Sequence, residues 1–439
     1  MKIIQSTEFD SFWAGRGNQI DDTKTENIVR EIINAVQTEG DAALRRFASK
    51  FDKSSPDKFE VPLSLVEKAG NELRISDPEL YGALELSAEH ISRFSVRQKE
   101  QLSNFEFAME EGLFTGQRVI PVQRAALYVP AGRFPLFSTV LMGLIPAFCA
   151  GVDEMILASP PLEDGLPDRK ILAAAAIAFK MAAVTGLRVF TMGGAQAIAA
   201  LALGTESVPR VDLIAGPGNK YVAAAKRILF GRVGIDFIAG PTDVLIITDA
   251  VDRNAAELAA ADMIAQAEHD PDACARALVA NQETAALISG TLEQRLKRLP
   301  DAANAKASLD VNGLIIVFQS NEEAVHIANT IAPEHLELQT ANTDWWIPRL
   351  KNYGSLFLGS FSAEALGDYS AGINHTLPTS GSARFTSGLS VRNFLKTVTT
   401  LRCSAGKGFD NACNAAEILA RAEGLEGHAH SAALRRNRQ

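Results

Sequence analysis

Between residues 125 and 331, short runs of aliphatic and β-branched residues alternate with longer stretches of helical composition. This alternation constrains the fold more than any other feature of the 439-residue chain. The run Ala125-Ala126-Leu127-Tyr128-Val129-Pro130 reads as a buried strand entering a turn, and 155–158 as a second strand before a helix over about 169–184. Strand 187–192 leads through Gly193-Gly194-Ala195-Gln196 into a helix at 197–203. Strand 211–215 leads through Gly216-Pro217-Gly218-Asn219 into a helix at 220–230. A second set follows: strand 244–248, a helix carrying Gln266, strand 277–279, a helix to Leu299, strand 313–318 and a helix to Ile331. Strands joined through helices by short loops pair in parallel and bury both faces. The pattern therefore predicts two α/β units in tandem with doubly wound parallel sheets.

The flanks read as helical. Ile28, Ile32, Ala35 and Val36 form an apolar stripe that Gly40 stops, and Asp41 can cap a helix that turns Leu44, Phe47 and Phe51 inward. A further helical region covers about 64–101, and after Phe394 the chain reads as short helices. Hydrophobic content of 47% with 22% charged residues is globular, and a net charge of -9 speaks against nucleic acid or anionic lipid as a partner. The basic tail Arg435-Arg436-Asn437-Arg438 is too short to reverse that. The apolar run 171–185 is interrupted by Lys180, that at 141–152 is too short to span a membrane, and the start lacks a signal-peptide core. Cys149, Cys274, Cys403 and Cys413 form no C-x-x-C pair, so the expected location is the cytoplasm.

Both glycine-rich turns follow a strand and open a helix, where backbone N–H groups and the helix dipole favour phosphate. Neither completes a fingerprint. Gly216-Pro217-Gly218-Asn219-Lys220-Tyr221 supplies two glycines of G-x-G-x-x-G but has Tyr221 in the third place, and no G-x-x-x-x-G-K-[ST] occurs. The units are thus Rossmann-like but incomplete, and a plain tight turn without ligand is an equally good reading of these residues.

Gln266 and His269 lie three apart near a helix end before Pro271, so an amide oxygen and an imidazole can aim at one point. With Glu268 and Asp270 beside them the set suits zinc or another borderline divalent ion, although two donors do not make a site. Three other places concentrate chemistry: Pro333-Glu334-His335 after a helix, Gly367-Asp368-Tyr369 with Asn374-His375 in a loop, and Glu423 with His428 near the end. Singly, each is explained by capping or solvation.

Together, Gln266-Ala267-Glu268-His269, Ala332-Pro333-Glu334-His335, Gly367-Asp368-Tyr369 and the late Glu423 and His428 closely resemble the histidinol dehydrogenase family in order and spacing. So do Tyr128-Val129-Pro130-Ala131-Gly132, residues 135–142, Ile214-Ala215-Gly216-Pro217-Gly218-Asn219 and Asn374-His375-Thr376-Leu377-Pro378. The resemblance covers essentially the whole chain. It implies one zinc ion per subunit on Gln266, His269, Asp368 and His428, and an acid–base pair of Glu334 and His335. It further implies NAD contacts at Tyr128, Gln196 and Asn219, and substrate contacts at Thr242, Gln266, His269, Glu334, His335, Asp368, Glu423 and His428. The implied reaction is the four-electron oxidation of L-histidinol to L-histidine through an aldehyde, in a homodimer whose Glu423 and His428 reach into the neighbouring subunit. The expected division is an N-terminal segment 1–25, a main α/β domain of 26–126 and 245–385 carrying the metal and acid–base residues, an NAD-binding α/β domain 127–244, and a helical tail 386–439.

One departure stands out. Where the family reads Ala-Gly-Pro-Ser-Glu, this chain has Ala239-Gly240-Pro241-Thr242-Asp243, which adds a methyl group and shortens an acidic side chain. A zinc- and NAD-dependent dehydrogenase of another chelating alcohol, such as a sulfonated diol, is therefore the nearest alternative. A zinc hydrolase using Glu334 on water, or a metal-dependent scaffold without turnover, are the alternatives from other classes.

Overall fold

The computed structural model describes residues 1–15, 23–131, 135–182 and 186–436. Gly132, Val184, Asn437 and Arg438, and part of the 1–25 segment, lie outside the described residues. Two six-stranded sheets dominate the chain. In the first, the strands run in the order Lys2–Gln5, Leu314–Val317, Cys274–Val279, Asp243–Thr248, His335–Gln339 and Ser355–Leu358, all parallel. Its strands at 243–248, 274–279 and 314–317 are largely apolar because helices cover both faces. The period of two then sorts the side chains. Val244, Ile246, Ala275, Ala277, Ile315 and Val317 pack on one side, and Leu245, Ile247, Leu278, Leu314 and Ile316 on the other.

The second sheet runs Glu60–Val61, Gly186–Thr191, Glu154–Ser159, Arg124–Tyr128, Leu213–Ala215 and Gly234–Ile235, with only Glu60–Val61 antiparallel. Chain order reverses direction across the sheet between Arg124–Tyr128 and Leu213–Ala215, the switch point at which doubly wound sheets open a crevice at their carboxyl ends. The short helix Phe9–Ala14 packs on the first sheet, whereas the helices between residues 23 and 100 cover this second one. Val66, Ala69, Leu84, Ala88 and Ile91 join one face, and Val29, Ile32, Ile33, Val36 and Leu44 the other. The assignment of 26–126 to the metal-bearing unit is corrected accordingly. Periodicity shows which side of a helix is buried and leaves open which sheet buries it.

Three further corrections follow from pairing. The amino-terminal piece is not helical throughout: Lys2–Gln5 form an edge strand of the first sheet ahead of the short helix Phe9–Ala14. The supposedly all-helical tail begins with a nine-residue strand, Leu395–Cys403, antiparallel to Leu113–Pro121, which also pairs with Phe105–Glu110. The run of Thr397, Val398, Thr399 and Thr400 carries that β signal. Helices Lys407–Ala422 and Glu426–Arg436 then pack on each other, the former also on this small sheet. Finally, Asp368 belongs to a short helix, Glu364–Tyr369, not a loop. No helix among the described residues is long and apolar enough to cross a membrane.

Candidate active site

Glu334 and His335 stand at the amino end of strand His335–Gln339, beside the amino end of strand Asp243–Thr248, where Val244 pairs with His335. Helix Arg253–Ala267 runs back along the sheet and delivers Gln266 and His269 to this same end. The second sheet offers the opposite edge: Tyr128, Gly193 and Gly216 follow the carboxyl ends of its strands. Bonds between the loop after Tyr369 and helix Phe137–Ala150 join the two edges. The Asn374 amide donates to the Met142 carbonyl at 2.7 Å, and His375 Nε2 meets Thr139 Oγ1 at 3.1 Å.

Glu334 is fixed by its neighbours. Its carboxylate accepts from the Thr242 hydroxyl and from the Asp243 N–H at 3.1 Å. Its own N–H donates to Asp243 Oδ1 at 3.1 Å, while Arg276 donates to Asp243 Oδ2 at 2.9 Å. Both Asp243 oxygens are thereby spent on structure, so the shortened acid of the 239–243 departure serves the backbone of the site. Burial pushes the Glu334 carboxyl up to about 7, against the opposing pull of His335 and the Thr242 bond.

His335 is enclosed by carboxylates. Its Nδ1 lies 3.9 Å from Glu334 and 3.6 Å from Glu364, and its Nε2 3.4 Å from Asp368. These are ion-pair separations, and neither ring nitrogen has a hydrogen-bond partner among the described residues. Burial alone would lower its pKa, but Glu364, Glu334 and Asp368 outweigh burial and hold it well above the ordinary imidazole value. Conversely, burial would raise Asp368, yet His335 outweighs it and holds the carboxyl below the usual range.

Donor atoms of His269, Glu364 and Asp368 lie within 4.8 Å of one another, and buried Asp368 Oδ1 has no hydrogen-bond partner among the described residues. Gln266, fully buried, adjoins the cluster. With its nitrogen toward Thr242 it donates there at 2.7 Å, which leaves its oxygen toward the Glu364 carboxylate. Two oxygens face each other without repulsion only if Glu364 holds a proton or a cation sits between them. Turned over, the nitrogen donates to Glu364 at 2.7 and 3.1 Å and the oxygen accepts from Thr242. The single Thr242 proton then leaves Glu334, so Glu334 must be the protonated partner. Burial pushes Glu364 up to about 8, so protonation suits either carboxyl. An imidazole, an amide oxygen and a carboxylate make a donor set that fits a borderline divalent ion.

The structure thus brings Gln266, His269, Asp368, Thr242, Glu334 and His335 together. Glu423 and His428 it does not: both are exposed on the C-terminal helices, outside the cluster formed by the described donors. Glu364, Arg276 and the role of His375 escaped the sequence reading. The four-residue spacing from Glu364 to Asp368 is a helix-face signal that could have found Glu364. His375 Nδ1 lies 2.8 Å from the Asp368 carbonyl, which can only accept, so Nδ1 carries the hydrogen and Nε2 accepts from Thr139. Burial keeps this ring below its ordinary pKa and hence neutral, a brace for the Asp368 backbone.

At the second sheet, buried Tyr128 accepts at its hydroxyl from the Gly194 N–H at 3.0 Å, and burial pushes that phenol up to about 12. Gln196 is buried within the first turn of the helix that Gly194 opens. Asn219 caps its own helix, accepting from the N–H groups of Tyr221 and Val222 at 3.0 and 3.2 Å, which leaves its Nδ2 as the group able to donate to a ligand. Gly216 has φ +107°, and a Cβ there would lie 2.1 Å from the Tyr128 carbonyl, so only glycine lets this turn close on the strand.

A profile of the family described as histidinol dehydrogenase matches residues 16–436. The histidinol dehydrogenase of Aquifex aeolicus is 43% identical over 428 residues, 97% of this chain and 96% of the relative. That of Thermus thermophilus is 44% identical over 435 residues, 99% and 100% respectively. The crystal structure of histidinol dehydrogenase from Elizabethkingia anophelis matches with a TM-score of 0.86 at 36% identity, over 93% of this chain and 91% of that one. An aldehyde dehydrogenase from Brucella melitensis biovar abortus, 17% identical with a TM-score of 0.51 over 87% and 90%, shares the fold alone. Since the likeness runs through both large sheets and the C-terminal piece, this chain belongs to the histidinol dehydrogenase family and is an oxidoreductase.

Proposed function

We propose that the protein oxidises L-histidinol to L-histidine, the last step of histidine biosynthesis, with two NAD per substrate and one zinc ion per subunit. The observation that carries this reading is the buried His335, within ion-pair reach of both Glu334 and the Asp368 of the donor cluster. Proton-transferring groups and substrate-holding donors thus share one wall. Gln266, His269 and Asp368 would hold the ion, with His428 completing the set. When bound, the ion would supply a charged template that orients the substrate, and would offset the carboxylate charge that otherwise keeps the proton on His335.

His335 would accept the hydroxyl proton, and Tyr128, Gln196 and Asn219 would hold NAD, which would supply the acceptor for the hydride of the carbinol carbon. Glu334, oriented by Thr242, takes a proton from the water that adds to the aldehyde. Loss of a second hydride yields the carboxylate. One alcohol and one water become one carboxylate, two reduced cofactors and three protons.

Glu423 and His428 are assigned to the partner subunit's site. Phe105, Phe107, Met109, Leu401, Ile418 and Leu419 are exposed apolar residues of the C-terminal piece and its sheet, a surface that a second copy would cover. The direct test is NADH formation from NAD by the zinc-loaded protein. Rapid turnover of histidinol is expected. Silence with every nicotinamide, or preference for imidazole-free amino alcohols and diols, overturns the reading.

A further inference from the structure

Asp52 is a polar group at the second sheet that the reaction so far leaves unused. It follows helix Asp41–Phe51, whose Ala43 and Leu44 pack on the same face of the sheet as Tyr128. From there its side chain reaches the turn after strand Gly186–Thr191. The Gly193 N–H donates to its carboxylate, and Gln196 Nε2 lies 3.4 Å from Oδ2. The approach is close enough that a Cβ at Gly193 would lie 2.6 Å from Oδ1. Tyr128, bonded to the next N–H, feels the charge of Asp52. The three side chains therefore line one turn.

A carboxylate has about four acceptor positions, and these two contacts leave half of them to a side that remains partly open to solvent. Its charge already neutralises the N-terminus of helix Gly194–Leu203, the place where a dinucleotide diphosphate would otherwise dock. The neighbouring helix N-terminus is capped internally by Asn219. What the open side of Asp52 can take is a neutral donor with adjacent hydroxyls, and a second negative charge there is repelled.

We propose that Asp52 is a specificity residue of the dinucleotide site: it accepts hydrogen bonds from a ribose hydroxyl pair and excludes a 2′-phosphorylated cofactor. The inference rests on the assignment of Tyr128 and Gln196 to NAD. Asp52→Asn preserves the shape and removes the charge, and Asp52→Ala removes both. By isothermal titration of the full-length, zinc-loaded protein without histidinol, Asp52→Ala is expected to weaken NAD binding on the order of 10- to 100-fold, and with histidinol to raise KM for NAD by a similar factor. Asp52→Asn is expected to shift the NAD:NADP ratio of kcat/KM toward NADP by about tenfold or more. A ratio unchanged in both variants, or equal losses with the two cofactors, would mean that Asp52 only caps the helix and would overturn the proposal. Wild-type protein that reduces neither cofactor would instead overturn the underlying NAD assignment.

Discussion

His335 has three carboxylates within 3.9 Å and, among the described residues, no hydrogen bond on either nitrogen, whereas His269 belongs to the donor cluster, so substitutions should separate proton transfer from metal retention. His335→Asn is expected to lower histidinol turnover by about 100-fold or more with zinc content intact. His269→Ala should lose zinc first; elemental analysis showing equal zinc loss in both would refute the division of roles. Glu334 carries a pH signature. Its carboxyl is held at about 7 when folded against an ordinary 4.5, so folding favours its protonated form. That contribution is complete below about 4.5 and is lost as pH rises through about 7. In metal-free protein, Glu334→Gln has no proton to lose and is expected to gain on wild type between pH 5 and 8, by at most about 3 kcal/mol. A stability difference that stays flat across that range, in denaturant titrations, would count against a buried, proton-holding Glu334. The sequence revealed Glu334 and His335 through resemblance, but not what shifts them. Arg276 sits in an apolar strand, and Asp243 arrives from 91 residues upstream of Glu334, so no local pattern joins the three.

Strands with unbroken apolar runs were readable because burial on both faces leaves no other composition, and the 244–248 and 313–318 readings lie within a residue of Asp243–Thr248 and Leu314–Val317. The strand His335–Gln339 was hidden because Glu337 and Gln339 stand among its residues. Both are buried: Glu337 accepts from the Glu364 N–H at 3.2 Å and from Gln339 Nε2 at 2.7 Å, so polar residues here form a bonded network beneath the site. The glycine turn at 216 has a similar hidden support. Lys226 and Asp236 form a buried ion pair, Lys226 donates to the Gly216 carbonyl at 3.0 Å, and Asp236 accepts from the Gly216 N–H at 2.8 Å. Lys226→Met would leave the Asp236 charge buried with only backbone donors, at a cost of about 3–5 kcal/mol. Urea unfolding should show that loss, and KM for NAD should rise as the turn loosens. A loss below about 1 kcal/mol would mean that the backbone donors alone satisfy Asp236.

Neither Glu423 nor His428, the two residues proposed to serve the partner subunit's site, reaches the donor cluster in the single chain. The C-terminal helices pack on each other and on a small sheet whose strand Phe105–Glu110 is exposed along its length, so the surface left uncovered and the side chains left unused lie on one unit. If a second copy covers that unit, each site takes its body from one chain and His428 from the other. Subunit mixing distinguishes this from a site completed within one chain. Homodimers of His335→Asn and of His428→Ala should each be nearly inactive. In a mixed dimer with exchanged tails, one site combines both defects and the other combines neither. Random reassortment makes half the dimers mixed, so about a quarter of wild-type activity should return. If His428 acts within its own chain, every site keeps one defect and mixing restores nothing. Denaturing and refolding the two variants together, then assaying NADH formation against each variant refolded alone, reads the difference directly, and a Leu419→Glu variant that disrupts the dimer should abolish the recovered activity.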